Sequence, residues 1–352
     1  TTATGLRIGV GRITGSLFGT ARLRDVTFAD PHGVFARVPE AELDWRPLRW
    51  VLHGLDVRRL TLRRGTLARL PRLNAGDPDA PILPAFDIRI DRLEIENLKL
   101  AQAVPGAARR VDLVARADIR AGRALVRIDG KLGQSDRLQA LLDAEPDRNR
   151  FDLKLDYAAP RGGLLAGLAR TDRAVEIAID GRGSWQQWDG ALLAREDGRS
   201  LAAFRLGNRS GQLRLIGQVW PGDRLTGLAA RAAGDAVSID AGGSLKQGVM
   251  DGRFVLVSRA LFVRGGGKAN LTENRLDGVT VAAALRDPAL AGSETRLDGA
   301  WLDATLDGPL RELALGWRAQ VAQATLGSVR LEAAGASGTA RHDGTRWTGP
   351  MA

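Results

Sequence analysis

The sequence contains no cysteine, one tyrosine, two methionines and three histidines. The missing cysteine excludes disulfides, thiolate zinc sites and thiol catalysis. His32, His53 and His342 lie far apart without metal-ligand spacing, so a histidine metal centre is not expected. Aromatics are only 5% of residues against 44% hydrophobic, so any apolar surface is smooth and aliphatic. The longest unbroken apolar run has five residues, Val281 to Leu285, too few for a membrane-spanning helix. Net charge is +10, but no block of like charge marks a basic tail. Such dispersed charge suits the solvated outer face of a sheet, and no nucleic-acid partner is expected.

Enzymatic patterns are equally scarce. "GGGKAN" from Gly265 lacks the first glycine and the terminal Ser or Thr of a phosphate loop. "GVGRITG" from Gly9 misses dinucleotide spacing by one residue, and there is no Gly-x-Ser-x-Gly. The acidic residues sit in turns or on the polar side of alternating segments. No catalytic site, cofactor or metal is expected.

What is present is period-two alternation, the mark of half-buried strands. Val111, Leu113, Ala115, Ala117 and Ile119 alternate with polar residues, as do Phe151, Leu153, Leu155 and Tyr157. Val175, Ile177 and Ile179 follow the same pattern. In "WLDATLDG" the apolar phase is read through Trp301, then Ala304 after a slip, and Leu306. The stretch "DIRIDRLEIENLKL" pairs Ile88 with Ile90, Leu93 with Ile95 and Leu98 with Leu100, and slips by one residue between pairs. Slips at Arg92 and Asn97 suit β-bulges, which bend a sheet. Nine Asp-Gly pairs, from Asp129-Gly130 to Asp343-Gly344, read as type I′ hairpin turns. Three short helices are expected, near 46–53, 136–144 and 161–169.

A long sheet with one apolar face must bury it, and so few helices cannot cover it. The expected fold is therefore mainly β: a long antiparallel meander curled into an open groove. It runs as one continuous elongated unit over 1–352, with a hydrophobic interior. Some 20 to 25 strands stacked at about 4.8 Å would give a groove on the order of 100 Å long. Candidate lining residues are Ile88, Ile90, Leu93, Ile95, Leu98, Leu100, Val111, Leu113, Ala115, Leu153, Leu155, Val175, Ile177 and Ile179. Trp45, Arg46, Arg49 and Trp50 on the first helix have two readings: a cap on the groove end with Trp packed inward, or a contact with a membrane interface.

An ordered series of features resembles the start of the periplasmic part of TamB-like proteins. It comprises Gly15-Ser16-Leu17, Leu23-x-x-Val26, Asp30-Pro31-x-Gly33, Leu43-Asp44-Trp45-x-Pro47, Leu60-Thr61-Leu62 and Leu70-Pro71. "YAAPRGGLLAGL" and "GRGSWQQWDGALLAREDG" continue it to about Gly222. That family is grouped with AsmA-like and other repeating β-groove proteins. The resemblance implies a periplasmic location and phospholipid acyl chains as partners. It also implies an inner-membrane anchor and a C-terminal region meeting a TamA-type outer-membrane barrel, both outside this chain. Lipid conduction toward the outer membrane is the implied function. The alternative is a scaffold for outer-membrane protein assembly through edge-strand pairing. A polysaccharide-active β-helix enzyme or a plain stalk fits the residues less well.

Overall fold

The computed structural model describes residues 6–16, 18–52, 54–69, 87–101, 110–133, 135–145, 148–163, 165–166, 171–184, 186–246, 248–271, 273–292, 294–343 and 346–350. The chain is mainly β and divides into two compact units, 1–190 with 194–199, and 191–193 with 200–352.

In the first unit, β1 (Arg7–Gly9) and β2 (Arg12–Gly15) both pair with β3 (Thr20–Asp30), which pairs with β4 (Gly33–Trp45). After α1 (Pro47–Leu52) come β5 (Gly54–Arg63) and β6 (Thr66–Leu67), which both pair with β7 (Asp87–Leu100). Then β8 (Arg110–Arg120), β9 (Arg123–Leu132), β10 (Asp136–Glu145), β11 (Arg150–Ala159) and β12 (Val175–Gly183) pair in sequence order. They are followed by β13 (Gln187–Glu196). The described pairings are antiparallel except that β7 runs parallel to β5 and β6.

The second unit holds β14 (Arg199–Arg209), β15 (Gln212–Val219), α2 (Gly227–Ala233), β16 (Val237–Lys246), β17 (Val249–Val257) and β18 (Leu261–Asn270). It continues with β19 (Arg275–Leu285), β20 (Thr295–Asp298), β21 (Trp301–Pro309), β22 (Ala314–Leu326), β23 (Val329–His342) and β24 (Trp347–Thr348). Here too each strand pairs antiparallel with the next, save that β20 pairs with β22 and β21 with β19.

The two slips in β7 are bulges. Asp91 and Arg92 stand opposite the single Arg116, and Glu96 and Asn97 opposite the single Asp112. Asn97 takes a left-handed backbone, φ 58°, and its N–H donates to the Asp112 carboxylate at 2.7 Å. Each bulge restores the apolar phase after the slip, so Ile88 through Leu100 stay on one face.

Three expectations are corrected. Residues 136–144 form β10, not a helix. Leu138, Leu141 and Leu142 fit helical spacing, but Leu138, Ala140, Leu142 and Ala144 fit alternation, and pairing on both sides decides for the strand. Of the helix expected over 161–169, Arg161 and Gly162 form a turn, Leu165 and Ala166 are helical, and residues 164 and 167–169 lie outside the described residues. The third concerns the Asp-Gly pairs. Asp197-Gly198 is a hairpin turn, with φ 45° and 77°. Asp129-Gly130, Asp180-Gly181, Asp189-Gly190, Asp251-Gly252, Asp277-Gly278 and Asp307-Gly308 lie inside strands, and Asp298-Gly299 closes β20. Gly344 lies outside the described residues. Other tight turns use Ala121-Gly122 and Ser210-Gly211, with the same pair of positive φ angles.

Candidate functional site: an apolar sheet face in each unit

The registers turn single-strand alternation into rows across strands. One row in the first unit runs Ile13, Leu23, Ala41, Leu62 and Ile95 from β2 to β7. It continues through Leu113, Gly130, Leu138, Tyr157 and Ile177 to β12. The next row runs Ala21, Leu43, Leu60, Leu93 and Ala115, then Ile128, Ala140, Leu155 and Ile179. No charged residue interrupts either row.

Burial follows the same division. In β9, Arg123, Leu125, Arg127, Asp129 and Lys131 are exposed, while Val126, Ile128, Gly130 and Leu132 are half-buried and Ala124 is buried. Half-burial without a covering layer is what a sheet curled toward its apolar side produces, because side chains on the concave face shelter one another. Fully closed packing is confined to small clusters, such as Val26, Val38 and Ala41, or Leu100 with Val111.

All fourteen candidate lining residues lie on this face. Ile88, Ile90, Leu93, Ile95 and Leu98 meet Ile119, Ala117, Ala115, Leu113 and Val111 across β7–β8. Leu100 follows Leu98 in phase and is buried. Leu153, Leu155, Ile177, Ile179 and Val175 meet across β11–β12 as neighbours or partners of Gly181, Tyr157 and Ala159. Sequence reading missed Leu138, Ala140 and Leu142, because their strand was read as a helix. The candidate lining residues also include none from the second unit, where alternation is legible at Ala304 and Leu306; there Leu206, Leu215, Ala241, Phe254 and Gly265 form a row continued by Val281, Ala304, Trp317 and Gly338.

Two glycines of that row each seat an aromatic ring. A β-carbon on Gly265 would stand 2.6 Å from the Phe254 ring, and one on Gly338 would stand 3.0 Å from Trp317 Nε1. Phe254 and Trp317 are their cross-strand partners. Phe204 and Gly217 repeat the relation, at 2.7 Å. Each large ring occupies the space of a missing side chain, so aromatics add little relief to the apolar face.

The polar face carries ion pairs within strands. Arg89 pairs with Asp91, Arg92 with Glu94, Arg120 with Asp118, Arg150 with Asp152, Arg275 with Asp277 and Arg296 with Asp298. Residues two apart share a face, so the Arg-x-Asp pattern yields a same-strand ion pair. Arg92 and Arg120 hold the carboxyls of Glu94 and Asp118 below the usual range.

Asp136 is a carboxylate enclosed on the apolar side. It is fully buried, and its Oδ2 accepts from Tyr157 O–H at 2.9 Å and Leu165 N–H at 3.0 Å. Gly163 packs so close that a β-carbon there would stand 2.2 Å from Asp136 Oδ1. The turn after β11 thus covers this carboxylate.

Among the described residues no group of His, Cys, Asp and Glu could hold a metal ion, and no helix is long and apolar enough to cross a membrane. No family model, curated protein or solved structure matches the chain.

Proposed function

We propose that the apolar faces form a conduit for phospholipid acyl chains, as a periplasmic segment of a TamB-like protein. The observation that carries this reading is the pair of uninterrupted apolar rows across the first unit, half-exposed and bounded by a charged outer face. An acyl chain leaving a bilayer loses about 0.8 kcal/mol per CH₂, on the order of 10 kcal/mol for a chain of ordinary length. A face apolar at every strand offsets that cost along its whole width. The rings recessed over glycine leave few deep pockets to trap the chain. The head group stays in water. The features shared with TamB-like proteins agree with this reading, and they bring with it the partners of that family: the inner membrane and a TamA-type barrel.

Native mass spectrometry with lipid extraction, on protein purified from cells, tests it. Phospholipid should co-purify and be lost in Leu113→Asp and Ile177→Asp. It should be kept in Val114→Asp, which places the same charge on the opposite face of the strand. Circular dichroism checks that each variant folds. A lipid-free wild-type chain under gentle conditions would sink the conduit and favour the edge-strand scaffold.

A further inference from the structure

Two side chains stand out among the exposed large apolar groups of the described residues. Phe18 is 80% exposed and Leu48 75%, more than any other large hydrophobic among the described residues. They leave the same end of neighbouring strands. Phe18 sits in the β2–β3 turn and Leu48 on α1, directly after β4, and Thr20 at the start of β3 pairs with Asp44 near the end of β4.

Both are presented by ordered backbone. The turn is closed by Ser16 N–H to Thr20 O at 3.1 Å and Gly19 N–H to Ser16 O at 3.2 Å. Phe18 N–H donates to Ser16 Oγ at 3.2 Å. At the base of α1, Arg46 and Arg49 reach the buried Asp56 carboxylate at 3.0 and 3.3 Å, and Arg46 N–H donates to Asp56 O at 2.8 Å.

The charge around them is positive. Arg22, Arg49, Arg58 and Arg59 are exposed at this end. The carboxylates there are Glu42, Asp87, Asp44, which pairs with Arg58 at 3.1 Å, and the enclosed Asp56, which is held by Arg46 and Arg49 and whose side chain is only 6% exposed; five arginines thus stand against four carboxylates.

We propose that this end is a docking surface for an anionic lipid bilayer. Phe18 and Leu48 enter below the head groups, and the neighbouring guanidiniums engage phosphate oxygens. Separate apolar tips fringed by arginine suit a fluid interface, where each tip finds its own depth. A protein partner would need a contiguous apolar patch to pack against. Arginine gives paired hydrogen bonds to phosphate. The surface is distinct from the apolar rows and does not require them to carry lipid.

The absence of cysteine makes the test clean. Phe18→Cys, Leu48→Cys and, as a control, Leu271→Cys each take one environment-sensitive nitrobenzoxadiazole label. Leu271 is 57% exposed in the second unit. With vesicles of phosphatidylcholine plus phosphatidylglycerol, labels at 18 and 48 should shift to the blue and brighten. The label at 271 should not, and phosphatidylcholine alone should give little change. The double variant Phe18→Ser/Leu48→Ser should lose vesicle co-sedimentation about tenfold or more, given the apolar area removed. No shift at 18 and 48, an equal shift at 271, or undiminished sedimentation of the double variant overturns the proposal. If lipid still co-purifies with the double variant, the conduit stands while this surface falls or holds on the vesicle result alone.

Discussion

The indole of Trp188 fills the space that a side chain at Gly181 would take: a β-carbon on Gly181 would stand 2.0 Å from ring atom Cζ2. The same ring restricts Gly190, where a β-carbon would lie 2.5 Å from Cη2, and it meets Phe151 at 6.1 Å between centroids. One tryptophan is thus set over two Asp-Gly pairs. These glycines serve ring packing rather than turning.

Gly181→Ala therefore forces the indole out of its seat. Overpacking of this kind costs about 1–3 kcal/mol, and the urea midpoint should fall accordingly. Gly198→Ala has open space around it but a φ of 77°, so its cost is conformational only, about 1–2 kcal/mol. Replacing Trp188 by Leu in the Gly181→Ala background should recover part of the loss, whereas the Gly198→Ala loss should be untouched. Additive effects of Trp188→Leu and Gly181→Ala would refute the seating.

Asn97 tests the bulge. Its φ of 58° lies where glycine is at ease and asparagine is tolerated. Asn97→Gly should change stability by less than about 1 kcal/mol, whereas Asn97→Val should cost about 1–2 kcal/mol and Asp112→Ala about 1 kcal/mol for the lost acceptor. Chemical denaturation ranks the three. A harmless Asn97→Val would mean that the bulge is not fixed by this residue.

The legibility of the fold was uneven for a physical reason. Alternation is local, so Ile88 to Leu100 and Leu153 to Ile179 announced their face, and the spacing in β7 even located both bulges. The Asp-Gly pairs misled because glycine's freedom in turns and its lack of a side chain inside a strand leave the same letters. Only the neighbouring strand tells which property is in use, as with Trp188 beside Gly181. In β10, counting leucine and passing over alanine produced a false helical period. Trp301 was assigned to the apolar phase, yet Leu302, Ala304 and Leu306 form it. The exposure of Phe18 and Leu48 was hidden, since sequence does not show what fails to cover a side chain.

The carboxylate of Asp143 gives the pH dependence. Arg123 donates to both its oxygens at 2.7 Å, and Arg150 Nη2 lies 2.9 Å away. Glu145, Asp152 and Arg148 complete the surroundings. The hydrogen bonds from Arg123 hold the Asp143 carboxyl below the ordinary aspartate range, against the opposing effect of burial. A carboxyl depressed in the folded state adds stability that is complete above its unfolded value, about 3.9, and is lost as pH falls through the folded value. The stability of the wild-type chain should therefore hold from neutral pH down to about pH 5 and decline below about pH 4. Asp143→Asn keeps the shape and removes the charge. At pH 7 it should cost about 1–3 kcal/mol, the range for a hydrogen-bonded charged group. The gap between the two chains should close as pH drops, because the wild-type carboxyl then becomes neutral too. Urea denaturation of both proteins across the acid range measures this gap. A difference that stays constant with pH would show that position 143 acts through packing, and that the Arg123 pair contributes no linked charge energy.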